Sequence, residues 1–333
     1  MQIFYPEYYY DFSCIAAACP DSCCKEWAVD VDEEAAAYYR ALPGALGDRL
    51  RQVLQDTQDG TVMTIEDGRC PMWRRDGLCR IQAELGHDAL CKTCREFPRL
   101  RHDYGDFVEL GLELSCPEAA RLILTSGRQG ICSVERPGGE EPDYDREVMA
   151  ILRSSRERVL NFLNREEYPV PESLAIILLH GHAVQSQLDG GEGETFDPED
   201  CLARAKKFAG AGNMEEVFSF FRDLEILTED WRDRLNVSPD PIRWTPELRA
   251  LARYLIGRYW LQAVSDYDLV CRVKLTVIAC LLVGALGGDV LQTAQLFSKE
   301  IENDPDNIEA ILDGAYTAPA LTDRNLFRLL LQK

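Results

Sequence analysis

Nine of the chain's 13 cysteines lie in its first 116 residues. They form four groups: Cys14, Cys19 and the adjacent pair Cys23-Cys24; Cys70 with Cys79; Cys91 with Cys94; and Cys116, followed at once by Pro117. Thiolates are preferred ligands of iron–sulfur clusters and of structural zinc, and either takes four of them in roughly tetrahedral array. Free cysteine also packs as a small buried hydrophobe. Nine in so short a segment, with an adjacent pair, exceed what a core would use, so a metal or cluster is expected here. Cys132, Cys201, Cys271 and Cys280 are isolated in helical sequence and are read as core residues. Cys91 and Cys94 form the only Cys-x-x-Cys pair, no nearby pair of histidines completes a zinc finger, and there is no Cys-x-x-x-Cys-x-x-Cys run. Spacing alone leaves zinc and iron–sulfur both open.

The segment that must position these thiols is irregular from Tyr8 to about Ser126, rich in Gly, Pro and Asp. Asp32 has the character of a helix cap, Pro43-Gly44 would end that helix before a second over Ala45–Gln55, and Pro117 at a first helical position would put Cys116 at a helix N-terminus. Alternation of apolar and polar residues suggests short strands over Thr61–Glu66 and Phe107–Leu114. The polar run Arg136-Pro-Gly-Gly-Glu-Glu-Pro reads as a linker. Beyond it, nine stretches carry apolar residues at helical spacing: Asp145–Leu163, Glu172–Leu188, Asp197–Phe208, Met214–Leu227, Pro246–Val264, Leu269–Leu286, Asp289–Asn303, Asn307–Tyr316 and Asp323–Leu331. The acidic Gly190-Gly-Glu-Gly-Glu is a loop and not a phosphate-binding turn. The expected fold is mainly α: an irregular, cysteine-rich, metal-stapled region with little β over residues 1–130, then an α-helical bundle over 131–333.

The chain has 333 residues, with 36 Lys+Arg against 57 Asp+Glu and a net charge of −21. Neither part is basic: residues 1–130 hold 14 Lys+Arg and 22 Asp+Glu. Nucleic acid is therefore not expected as a partner, since phosphate binding needs a basic surface. The N-terminus carries no basic stretch followed by an apolar one, which points to the cytoplasm and to reduced thiols. Leu275–Leu286, the longest apolar stretch, falls short of the ~20 residues a bilayer span requires and reads as a buried helix, so no membrane association is expected. Lys92, Arg95, Arg99, Arg101 and Arg121 form the one locally basic cluster. It suits the carboxylate of a cofactor or substrate, or ion pairs within an acidic chain. His87 and His102 flank the third cysteine group, whereas His180 and His182 stand two apart on a helix.

The run Tyr10-Asp-Phe-Ser-Cys14, Cys19, Cys23-Cys24-Lys-Glu-Trp27-Ala-Val-Asp30, followed by Cys70-Pro, Gly77-Leu-Cys79-Arg-Ile-Gln-Ala-Glu-Leu-Gly86, Thr93-Cys94-Arg-Glu-Phe-Pro98-Arg99 and Leu112-Glu-Leu-Ser-Cys116-Pro-Glu-Ala-Ala-Arg121, resembles the bacterial flagellin lysine N-methylase family. Its cysteine pattern is also similar to that of the broader zinc- or iron-chelating cysteine-cluster proteins. The resemblance spans roughly Tyr8 to Leu124. It implies an enzyme that transfers methyl groups from S-adenosylmethionine to lysine side chains of flagellin and carries an iron–sulfur cluster, of 4Fe-4S type, with zinc as an alternative or additional metal. It further implies that the ligands come from Cys14, Cys19, Cys23, Cys24, Cys70, Cys79, Cys94 and Cys116, with Cys91 outside the family pattern. Eight thiols exceed the four that one cluster takes, so a second metal or extra thiols packed nearby must account for the surplus. For the cofactor, Arg95, Arg99 and Arg121 are the candidate contacts. No glycine-rich strand-to-helix turn of the dinucleotide-binding kind is present, so S-adenosylmethionine would bind on another fold. Tyr8, Tyr9, Tyr10, Asp30, Glu109 and Glu118 could position an amine, and nothing in the sequence chooses among them. The alternative reading is a non-catalytic iron- or zinc-binding module for interaction or redox sensing.

Overall fold

A computed structural model of the chain describes every residue except Asp59, Gln129, Glu194 and Lys333. The chain is mainly α, 57% helix and 11% strand. Its N-terminal part runs β1 (Gln2–Pro6), β2 (Val29–Val31), α1 (Glu33–Ala41), α2 (Gly44–Val53), β3 (Leu54–Asp56), β4 (Thr61–Met63), α3 (Arg80–Leu85), α4 (Lys92–Glu96), β5 (Arg99–Asp103), β6 (Phe107–Leu112), α5 (Pro117–Thr125) and β7 (Ile131–Glu135). Ten helices follow: α6 (Arg146–Arg165), α7 (Val170–Leu188), α8 (Pro198–Ala205), α9 (Met214–Arg222), α10 (Glu229–Leu235), α11 (Pro246–Tyr259), α12 (Val270–Ala285), α13 (Val290–Phe297), α14 (Pro305–Thr317) and α15 (Asp323–Leu330).

The caps that sequence signals implied are formed. Asp32 accepts the Ala35 amide at the start of α1, Asp145 accepts two amides at α6, and Asp197, Asp289 and Asp304 do the same work at α8, α13 and α14. Each of the nine helical stretches expected beyond residue 140 contains a helix. The short, highly charged α10 was not anticipated; its Trp231 and Leu235, one turn apart, are fully buried. The Gly190–Gly193 stretch is irregular, Glu194 lying outside the described residues.

The N-terminal part is more ordered than its composition suggested. Four strands form a sheet in the order β5-β6-β1-β7, with β1 parallel to β6 and antiparallel to β7. A smaller antiparallel sheet has the order β2-β4-β3. Two hydrophobic cores result. Val29, Val31, Tyr39, Leu50, Val53, Met63, Met72, Ile81 and Leu90 enclose the small one, with Cys70 and Cys91 among them. The large one gathers the helices together with Tyr9, Phe12, Phe107, Leu112, Leu114 and α5. The cores do not follow chain order, since residues on both sides of 130 build the large core and β7 pairs with β1. Helix α12 runs through the large core with all but one of its 16 residues buried. Among the described residues, no helix is long and apolar enough to cross a membrane.

Candidate metal centre

Six of the nine N-terminal thiols lie on turns or helix starts with amide N–H groups near sulfur. Ala16 donates to Cys14 Sγ at 3.4 Å. The amides of Asp21, Met72 and Cys94 reach Cys19, Cys70 and Cys91, those of Ile81 and Gln82 reach Cys79, and those of Glu118 and Ala119 reach Cys116. Cys79, Cys91 and Cys116 are the residues just before α3, α4 and α5, which explains why amides two and three positions on are free to donate. Such bonds favour the charged thiolate, and hydrogen bonds to sulfur are one of the levers by which proteins tune iron–sulfur clusters. Three non-glycine residues of this segment, Ala16 (φ +49°), Glu26 (φ +73°) and Asp67 (φ +49°), hold the left-handed conformation. That geometry is costly for a residue with a Cβ and persists only where the surroundings impose it.

The thiols interact in two sets. Cys14, Cys19, Cys23 and Cys116 perturb one another's charge. The second set joins Cys24 to Cys70 and Cys91 to Cys94 by hydrogen bonds, with Cys79 acting electrostatically on both pairs' neighbourhoods through Cys24 and Cys91. The sets touch at the hydrogen bond between Cys23 and Cys24, and Cys94 also feels Cys23 and Cys24. Hydrogen bonds from Cys23 and then Cys70 hold Cys24 far below the ordinary thiol range, while the same contacts push Cys23 and Cys70 up. The bond from Cys94 likewise lowers Cys91. Burial raises Cys19, Cys79 and Cys116, the last to about 11. Among the described residues, no three His, Cys, Asp or Glu side chains stand grouped as ligands of a single metal ion.

Backbone contacts lace the sets together. Cys70 N–H donates to Cys24 O at 2.7 Å, and Lys25 forms a β-bridge with Arg69. The Cys70–Cys79 loop closes through Arg74 N–H to Leu78 O at 2.9 Å, a turn that needs Gly77 at φ +80°. Two residues of the helical part, Lys299 and Gln295, reach the loop around Asp21. Lys299, in a single π-helical turn (Ser298–Glu302), is 3% exposed; its Nζ stands 3.2 Å from Asp21 and 2.5 Å from Glu26, and 5.2 Å from the centre of the Trp27 ring. Gln295 Nε2 donates to Asp21 and to Ser115 O, so α13 touches the loops leading to both Cys23 and Cys116.

Over 129 residues the chain is 36% identical to the flagellar biosynthetic protein FliU of Salmonella muenchen, a match covering 36% of this chain and 75% of that protein. The chain belongs to the FliU family. Over 129 residues it is also 35% identical to proteins named lysine-N-methylase from Salmonella choleraesuis and Salmonella typhimurium. There the match spans about a third of the relatives, 31% of their length against 36% of this chain. No family model matches the chain, and no solved structure matches it.

Against this kinship, the other residues singled out in the sequence fall in separate places. Arg121 makes two hydrogen bonds to Glu118 one turn away, Arg101 pairs with Asp103, Arg99 lies over the Phe12 ring, and Arg95 donates weakly to Leu90 O. Glu109 is held by Arg156, and Asp30 and Tyr10 point outward. Of the histidines, His87 is exposed beside Asp88 and His182 meets Asp323 at 3.1 Å. His180 packs on Phe196, and His102 pairs in register with Glu109 on β6, where Arg258, Glu109 and Arg156 act on it. Cys132 is on β7 and not in a helix, whereas Cys201, Cys271 and Cys280 are buried as expected. Cys91 is the thiol that sequence reasoning set aside: it is buried and bonded to Cys94. The signal for it was present in the Cys-x-x-Cys spacing at a helix start.

Proposed function

We propose that this protein is a lysine methyltransferase acting on flagellin with S-adenosylmethionine as donor, and that its thiols hold an iron–sulfur cluster. Kinship to FliU and to two proteins named lysine-N-methylase carries the reading. The donor set fits a cysteine-ligated centre: thiolates stabilised by amide N–H groups, half-buried beside a small apolar core. The eight thiols of the family pattern divide four and four: Cys14, Cys19, Cys23 and Cys116 in one set, and Cys24, Cys70, Cys79 and Cys94 in the other, joined there by Cys91. The surplus thus becomes two donor sets, one for the cluster and one for a second cluster or zinc.

A bound cluster would supply an electrophilic or electron-transferring centre. The chain's own contribution is to favour the thiolates of Cys24 and Cys91, to bury Cys70 and Cys91 beside Tyr39 and Met72, and to fix the Cys19–Glu26 loop through Lys299. Incubation of anaerobically purified protein with methyl-labelled S-adenosylmethionine and flagellin should place label on flagellin lysines. Absence of label from protein with a visible absorbance band that bleaches on reduction would leave a redox or interaction module and overturn the methyltransferase reading.

A further inference from the structure

We infer that the cavity between the four-stranded sheet and helices α5, α6 and α11 is a binding site for a small organic anion, a carboxylate or phosphate carried on a flat or apolar body. The cavity has a volume of about 750 Å³ and no cysteine in its lining. That size lies within the ~300–1,000 Å³ usual for small-molecule sites. One wall is aromatic and apolar, supplied by Phe4, Tyr5 and Tyr8 and the β6 residues beside them. The facing wall is made from the polar faces of two long helices: Arg153, Asn161 and Asn164 from α6, and Arg249 and Arg253, one turn apart, from α11. Helices that turn guanidinium and amide groups toward an interior space leave it wet and chemically specific, the opposite of what α12 does in the core.

Charge decides the class of occupant. In a chain of net charge −21, the cavity is lined by six arginines against four glutamates. Three of those arginines are already paired, Arg128 with Asp11, Arg156 with Glu109 and Arg258 with Glu302. Arg249, only 8% exposed, donates to neutral acceptors, Ser173 Oγ at 3.3 Å and Tyr168 O at 2.6 Å, and the one carboxylate acting on it is the more distant Glu166. Arg153 lies over the rings of Phe4 and Phe107, at 5.3 and 4.7 Å from their centres. Burying a cation without a close carboxylate is costly, and an anion entering the cavity would relieve that cost while stacking its body on the aromatic wall. His102 adds a polar atom in the lining, Nε2, that is buried with no hydrogen-bond partner. Glu157, Glu166 and Glu247 also line the space, so the inference rests on Arg249, Arg153 and the His102 nitrogen, and it stands apart from the methyltransferase reading.

Isothermal titration of the full-length protein tests it with three probes: adenosine 5′-monophosphate, S-adenosylhomocysteine and neutral adenosine. Either adenosine 5′-monophosphate, an anion, or S-adenosylhomocysteine, a zwitterion that offers its α-carboxylate, should bind at least tenfold more tightly than adenosine, with the nucleotide's affinity falling as salt rises. Preference for the nucleotide identifies phosphate as the recognised group, and preference for S-adenosylhomocysteine identifies a carboxylate. Arg153→Met, on the exposed side of the cavity, and Arg249→Met should each weaken binding tenfold or more, and Arg249→Lys should recover most of the loss if the buried variant folds poorly. Failure of both the nucleotide and S-adenosylhomocysteine, equal binding of adenosine, or wild-type affinity in the folded Arg153→Met and Arg249→Lys,Arg153→Met proteins would overturn the proposal.

Discussion

Cys280 and Cys91 are both buried, yet they sit in unlike chemistry. Cys280 lies in α12 at the middle of the large core; burial alone drives its thiol far above the ordinary range, and its Sγ–H donates to Leu248 O at 3.5 Å. Cys91 lies in the small core at the start of α4, where the Cys94 thiol and the Cys94 amide both favour its thiolate. The difference is the thiol that donates to Cys91, with an amide beside it, not the degree of burial. Helix-start amides alone do not do this, since Cys79 and Cys116 have them and burial still raises both. The contrast extends to the regions themselves. The large core is closed by helix packing, whereas the small one has few large apolar residues and two cysteines within it.

The strongest way to break this comparison is to remove the thiol chemistry. Cys24→Ser, or metal chelation, is expected to abolish metal content and the hydrogen-exchange protection of residues 29–96 while α12 stays protected. Cys280→Ala should cost only about 1–2 kcal/mol and leave metal content unchanged. Iron, zinc and sulfide analysis with exchange mass spectrometry checks both variants, and unchanged protection in the Cys24→Ser protein would mean that the small core needs no metal. Lys299→Met comes next. Removing one partner of a buried ion pair costs roughly 3–5 kcal/mol, but Asp21 and Glu26 remain 21% and 32% exposed, so a loss of about 2 kcal/mol is expected. Denaturant unfolding should show the cysteine segment loosening before the helical core, and a single unchanged transition would show that Lys299 does not link the two.

The smallest effect belongs to the large core and titrates. Burial, and after it Arg158, lowers His180 from 6.5 to about 4. A base depressed in the folded state is protonated first in the unfolded chain, so its contribution is complete above pH 6.5 and is lost as pH falls toward 4. One proton corresponds to about 1.4 kcal/mol per pH unit in that window. His180→Phe should flatten the decline in melting temperature between pH 6.5 and 5 by that single proton, and an unaltered decline would place the linkage elsewhere.

Much of the helical part was legible because its signals are local. Asp145, Asp197, Asp289 and Asp304 cap the helices they precede, and apolar residues every three or four positions marked the buried faces. Helix α10 escaped because only two of its seven residues are apolar and the other five are charged. The strands β1, β5 and β7 escaped for a different reason. Gln2–Pro6 has no clear alternation, and its partners, Phe107–Glu109 and Ile131–Glu135, lie more than 100 residues away.

By itself, the sequence determined where the thiols lie along the chain, the helix start at Cys116 and the acidic balance that makes a nucleic-acid partner unexpected. Only the tertiary structure decided how those thiols divide, which helix supplies Lys299 to the loop between Cys19 and Trp27, and that arginines from α6 and α11 face one cavity. Spacing along a chain fixes the groups that neighbouring amides can serve. It says nothing about which distant segments meet, because that depends on how the sheet and the helices close on one another.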